Sequence, residues 1–240
     1  MIIITKKPEV TKRVDSCIKV YNAKGIDAGV AAIQEHILSA KIKFPLLEHA
    51  ATLLYEQLPE EDHIPLCTKI EQLKTIGGNV LIGIILQQRL STHFSKSLEM
   101  ATHYISLADV WYVCDIIGER TYGYALLHYP EQTLPIIKKL STSDSNWVIR
   151  SLGAGGHYAI KKGLKAKHAV QLFQLLLTMA NTKDKEIRQG VGWAAKTTAK
   201  FHPDIIQQHQ KEINNTEQVA NWFRKKIEIG LNRNSYAQRN

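Results

Sequence analysis

Hydrophobic and polar positions alternate along this chain with the period of an α-helix almost from end to end. Apolar residues recur at steps of three and four, which draws a stripe down one helix face. The pattern predicts helices over roughly 8–22, 27–40, 45–57, 63–74, 78–90, 94–106, 108–118, 121–128, 131–140, 145–161, 167–180, 184–200, 204–213 and 216–229. Their breaks carry turn chemistry, among them Gly25, Pro59, Gly77-Gly78, Pro130, Gly163 and Pro203. Asp144, Asp184 and Thr216 stand where N-caps are needed. Strict two-residue alternation is missing, so strands are not expected. The helices come in pairs with a period of roughly 35–40 residues, the grain of HEAT-like arrays. The expected fold is all-α: a right-handed superhelical solenoid of HEAT-like helix pairs with a concave basic groove. One domain is expected over 1–230, followed by a polar tail, LNRNSYAQRN, at 231–240.

Three helices show a second face. In DVWYVCDIIGER, Val110, Val113, Cys114 and Ile117 make the apolar stripe. Trp111 and Asp115 share a face about 130° round from it. In SNWVIRSLGAGGHYAIKK, the inward stripe is Val148, Leu152, Gly155 and Tyr158 or Ala159, with Arg150, Ala154, His157 and Lys161 opposite. In DKEIRQGVGWAAKTTAK, the stripe is Ile187, Val191, Ala194, Ala195 and Thr198. Trp193 lies about 150° away, in line with Gln189, Lys196 and Lys200. Two readings stand for a tryptophan placed this way. It packs against the next repeat, or it offers an aromatic surface to a sugar or base beside a phosphate backbone.

Composition narrows the choice of partner. The net charge of +9 favours an anionic one, nucleic acid ahead of a membrane surface, although it also serves solubility. Cys17, Cys67 and Cys114 are far apart and form no CxxC or Cys/His cluster, so no disulfide framework or metal site is expected. The longest apolar run, NVLIGIIL at 79–86, is far below the ~20 residues that span a bilayer. MIIITKKPEV is too short in apolar residues for a signal peptide, and a cytoplasmic location is expected. The GAGG at 153–156 lacks the strand and Lys-Ser/Thr of a phosphate loop; it serves close approach, of helices or of DNA. WFRKK at 222–226 reads as a solvated helix face or as a DNA contact.

These stretches resemble the HEAT-repeat DNA glycosylases that remove alkylated purines, the AlkD family. The resemblance rests on WYVCD (Trp111 to Asp115), WVIR (Trp147 to Arg150) and RQGVGWAAK (Arg188 to Lys196), in the family's order and approximate spacing. It covers the helical array and is specific over about 105–203. Two positions depart from the family pattern: Tyr112 follows Trp111 where an aspartate is common, and Lys196-Thr197 stands where an arginine-glutamate pair is common. A lysine keeps a cationic phosphate contact but loses the bidentate fork.

The resemblance implies hydrolysis of the N-glycosidic bond of cationic N3- or N7-alkylpurines in double-stranded DNA, without base flipping and without a metal or organic cofactor. Such a base is already a good leaving group, so one carboxylate that stabilises an oxocarbenium-like sugar and orients water is enough. Asp115 is the expected carboxylate; the alternative for it is a surface acid paired with a nearby Lys or Arg. Trp111 and Trp193 are expected to hold the sugar between their electron-rich faces. Arg150, Lys161, Lys162, Arg188, Lys196 and Lys200 are the expected phosphate contacts. A monomer acting on alkylated duplex DNA is expected, with no membrane partner. Two other readings remain: a non-catalytic HEAT protein that binds damaged or branched DNA, and a protein–protein scaffold. Lysines and arginines on the same face as the two tryptophans would count against the scaffold.

Overall fold

Prolines and glycines set several helix boundaries in the computed structural model, which describes residues 2–234. The described residues fall into two compact units divided after Tyr104. The first holds α1 (Lys7–Lys24), α2 (Ile26–Ile33), α3 (Phe44–Gln57), α4 (His63–Gln72) and α5 (Ile76–Gln88), and α6 (Phe94–Ser106) carries the chain across the division. Pro8 and Pro45 sit in the first turns of α1 and α3, where a missing N–H costs nothing. Gly25, at φ +83°, separates α1 from α2. The apolar run at 79–86 becomes the middle of α5 and is buried on every side from Gly78 to Leu86.

The second unit contains α7 (Trp111–Gly118), α8 (Tyr124–His128), α9 (Pro130–Leu140), α10 (Asn146–Lys161), α11 (Ala166–Thr178), α12 (Lys185–Phe201), α13 (Pro203–Gln208), α14 (Gln210–Asn214) and α15 (Asn221–Leu231). A π-helical turn, Glu119–Gly123, joins α7 to α8. Helices α7, α10, α12 and α15 pack side by side in that order, while α9 and α11 pack on one another beside them. The starts of the row, at 111, 146, 185 and 221, step by 35, 39 and 36 residues, so the expected repeat period is that of packed helices.

Several local expectations differ from the structure. Ile3–Ile4 pairs in parallel with Lys41–Ile42, a two-residue ladder too short to leave an alternating pattern. The helix expected over 27–40 gives way to a π-helix at Gln34–Leu38. The helix expected over 204–213 is broken at His209, which leaves helical geometry at φ −105°, ψ 21° while its buried ring and its backbone N–H both donate to the Ile205 carbonyl, at 2.9 and 3.2 Å. The helix expected from 216 starts at Asn221, because the Ala220 N–H is drawn to the Ala180 carbonyl at 3.1 Å. Ser145, not Asp144, caps α10, and Asp184 caps α12 through the Ile187 N–H at 2.9 Å. Of the tail expected at 231–240, Leu231 ends α15 and Asn234 donates its side-chain amide to the Lys200 carbonyl at 2.8 Å; 235–240 lie outside the described residues.

The largest correction concerns α10. Its expected outward face does not exist over the first half, because every residue from Val148 to Gly156 is buried. The helix has α7 and the π-helical turn on one flank and α12 on the other. Glycine permits that crowding. A Cβ on Gly153 would lie 2.1 Å from the backbone of Gly190, and one on Gly190 would lie 2.2 Å from the Arg150 carbonyl oxygen. The GAGG segment therefore serves helix approach. Gly153→Ala forces α10 and α12 apart and is expected to cost about 1–3 kcal/mol, or roughly 2–4 °C of Tm per kcal/mol. Gly192→Ala meets only the flexible Lys226 side chain, at 3.1 Å, and is expected to cost less. Thermal unfolding of the two variants checks the ranking.

Candidate active site

Three successive helices of the row each deliver one charged side chain to a single point. Val110 is extended, and α7 opens on Trp111, which is 54% exposed. Asp115 follows one turn later on the same face. Arg150 comes from the second turn of α10 and Glu186 from the first turn of α12. The Arg150 guanidinium grips Asp115 with both arms of its fork: Nε donates to Oδ1 at 2.9 Å and Nη2 donates to Oδ2 at 2.8 Å. Nη1 donates to Glu186 Oε2. The Trp111 ring centroid lies 5.7 Å from the guanidinium carbon.

This cluster holds two acids and one base, a net charge of −1. Burial opposes the charged guanidinium, but hydrogen bonds and charge from Asp115, then Glu186, outweigh it and hold its pKa above the ordinary arginine value. Arginine has five N–H donors, and three are engaged here. Arg150 is therefore a buried clamp on two carboxylates rather than the outward phosphate-binding side chain expected from the sequence. Cys114, next to the acid, is no nucleophile: burial, then the charge of Asp115, pushes its thiol up to about 12.

A second cluster lies seven residues further along both helices. From Arg150 to His157, and from Glu186 to Trp193, is two turns, or ~10.5 Å along the axis with almost the same angular position. The His157 and Trp193 rings stack, with centroids 4.0 Å apart and planes at 22°. The Thr197 hydroxyl has one proton, which it donates to the Trp193 carbonyl at 2.9 Å. It must accept from His157, so the 2.7 Å contact fixes the proton on Nδ1. Burial, then the charges of Lys161 and Lys196, pushes the His157 imidazole down to about 4. With His157 covering one side of the indole, Trp193 does not offer both faces to a ligand.

Lys161, Lys196 and Lys200 surround this cluster with Arg233 and line a pocket of about 200 Å3. Lys162 and Arg188 are not brought to it. Lys162 sits over the Tyr158 ring at 5.9 Å, and Arg188 over the Trp222 ring at 5.6 Å. Arg188 lies about 200° round α12 from Glu186. Trp222 of the WFRKK run also donates its indole N–H to the Thr182 carbonyl at 3.2 Å, so this end of α15 is tied to its neighbour. Glu186, His157 and Arg233 have no assigned part in the sequence reading. The spacing of Asp115, Arg150 and Glu186, steps of 35 and 36 residues at the repeat period, is the signal that joins the first of them to the site.

The fold and the two clusters define an all-helical repeat protein with an acidic and a cationic station on one helix face. The family model of the DNA alkylation repair enzymes matches residues 46–225, and the chain belongs to that family. No curated relative matches it. Among solved structures it shares the helical-repeat fold of AlkD2 from Streptococcus mutans, with a TM-score of 0.68 and 16% identity over 85% of this chain and 97% of that one. An engineered protein of known structure is more distant, with a TM-score of 0.46 and 10% identity over 93% of this chain and 97% of that one. Among the described residues no helix is long and apolar enough to cross a membrane.

Two measurements test the geometry. Arg150→Met leaves two carboxylates facing one another without their cation and is expected to cost about 3 kcal/mol of stability at neutral pH. Denaturant unfolding reads this directly. His157 titrates near 4 when folded and near the ordinary 6.5 when unfolded. Above 6.5 it contributes no pH dependence. As pH falls from 6.5 towards 4 the unfolded chain alone takes up the proton, and stability drops by at most about 1.4 kcal/mol per pH unit. His157→Gln is expected to flatten that limb of the stability–pH curve.

Proposed function

We propose that this protein is a monofunctional DNA glycosylase that hydrolyses the N-glycosidic bond of cationic N3- or N7-alkylpurines in duplex DNA. The observation that carries the reading is Asp115, oriented by the two-armed grip of Arg150, one helical turn from the exposed ring of Trp111. Membership of the DNA alkylation repair family supports it.

Loss of an alkylated purine leaves positive charge on the deoxyribose, and the leaving base needs no proton. What the enzyme must supply is negative charge held where the sugar cation forms, with no reorganisation at that moment. Arg150 fixes the carboxylate's orientation with two hydrogen bonds, and the second acid, Glu186, leaves the cluster anionic overall. Trp111 adds an electron-rich face worth roughly 0.5–2 kcal/mol towards a cation. Asp115 also accepts a hydrogen bond from the attacking water on the face left by the base. Arg150 acts here as a positioning residue. Lys161, Lys196 and Lys200 hold the strand through its phosphates, and Trp193 forms the wall between them and the sugar. Cations grouped with Trp193 on the face that carries Trp111 argue against the scaffold reading. Within this reading the protein works as a monomer in the cytoplasm and uses no cofactor.

Release of 7-methylguanine and 3-methyladenine from methylated duplex DNA tests the proposal. Asp115→Asn is expected to slow release by roughly 100- to 1,000-fold with DNA affinity kept. Trp111→Ala is expected to slow it by roughly 2- to 30-fold. Salt-sensitive binding with no release by the wild type at high enzyme concentration would overturn the catalytic reading and leave a DNA-binding protein.

A further inference from the structure

The pocket around Trp193 carries more positive charge than a passing backbone phosphate needs. Its walls come from three helices of the row: His157 and Lys161 from α10, Trp193, Lys196 and Lys200 from α12, and Arg233 just beyond α15. No acid lines it. Among the described residues none of the four cationic side chains forms an ion pair or a hydrogen bond, unlike Arg150 two turns away. Burial, then the charges of Lys226 and Arg233, already pushes the Lys196 ammonium below the ordinary lysine value, so the cations crowd one another.

The shape is as particular as the charge. The pocket holds about 200 Å3, room for a phosphate with part of its sugar at ~30 Å3 per displaced water. One wall is set before any ligand arrives, since His157 stacks on Trp193 and is pinned by Thr197. The wall from α15 cannot advance, because Gly230 already lies so close to the Lys196 carbonyl that a Cβ there would sit 2.3 Å from its oxygen. An internal phosphodiester brings one negative charge, and both of its ester arms must leave the site. A phosphate monoester brings a charge of about −1.5 to −2, three acceptor oxygens and only one arm.

We propose that this pocket binds a phosphate monoester, the group at the phosphorylated end of a DNA strand. The choice of DNA rests on the repair reading; the monoester chemistry rests on the pocket alone. The protein would then hold a strand end at the cationic station, with the Asp115 cluster ~10.5 Å away along the same helices.

The test uses undamaged duplexes, so it does not depend on base release. Three are compared by fluorescence anisotropy: 5′-phosphorylated, 3′-phosphorylated and hydroxyl at both ends. One phosphorylated end is expected to bind roughly tenfold tighter than the hydroxyl duplex, the value of one added charge-assisted contact. Lys200→Gln, on α12, and Arg233→Gln, beyond α15, are each expected to reduce that preference to about twofold or less. Thermal unfolding of both variants verifies that they fold. Inorganic phosphate separates the sources: at matched ionic strength it erases the preference if the pocket also takes free monoesters, and leaves it if a strand must be attached. Equal affinity for all three duplexes would overturn the proposal, even for a protein that releases methylated bases. A preference that survives both substitutions would place the phosphate elsewhere and overturn it too.

Discussion

One guanidinium joins three repeats of this protein. Arg150 can reach a carboxylate on the helix before it and another on the helix after it only because the helices nearly touch. That proximity is a property of glycine: with no Cβ at 153 or 190, the backbones of α10 and α12 meet, and the side chains around them fall into register. The constraint passes along the row. Asp115 meets Arg150, Arg150 meets Glu186, His157 meets Trp193, and each partner lies 35 or 36 residues from the other. A wider separation would free Arg150 for solvent and release the acid from its fixed orientation.

The register also sorts charge. Two turns of helix separate a cluster with an extra negative charge from one with uncompensated positive charge, a distance of ~10.5 Å. Nucleic acid has the complementary order, with anionic phosphates flanking a sugar that becomes cationic only while a glycosidic bond breaks. An electrostatic field of one sign could bind the strand or stabilise the cation. Two stations of opposite sign on one face suit both tasks of the proposed reaction.

Much of this was legible in the residues, and the exceptions have physical causes. Helical periodicity and the repeat length are local properties, so they survive into the fold, and the spacing of Trp111 and Asp115 puts them on one face whatever packs around them. Burial on several sides is not local. The pattern of α10 looks amphipathic, and nothing within it says that α7 and α12 cover both flanks; that misplaced Arg150 as an outward cation. Glu186 was invisible as a site residue because its meaning lies in a partner 36 positions earlier. The stacking of His157 on Trp193 depends on the spacing of α10 and α12 in the same way. The late start of α15 follows from a single hydrogen bond to a distant carbonyl, which no periodicity reports.

In the proposed reaction a preset carboxylate meets a sugar that is turning cationic. The most direct test is the affinity of the wild type and of Asp115→Asn for duplexes carrying either a cationic pyrrolidine sugar mimic or its uncharged tetrahydrofuran counterpart. The wild type is expected to prefer the charged mimic by roughly 100-fold, in line with transition-state analogues, and the variant to lose most of that preference. Equal affinity of the wild type for the two duplexes would contradict it.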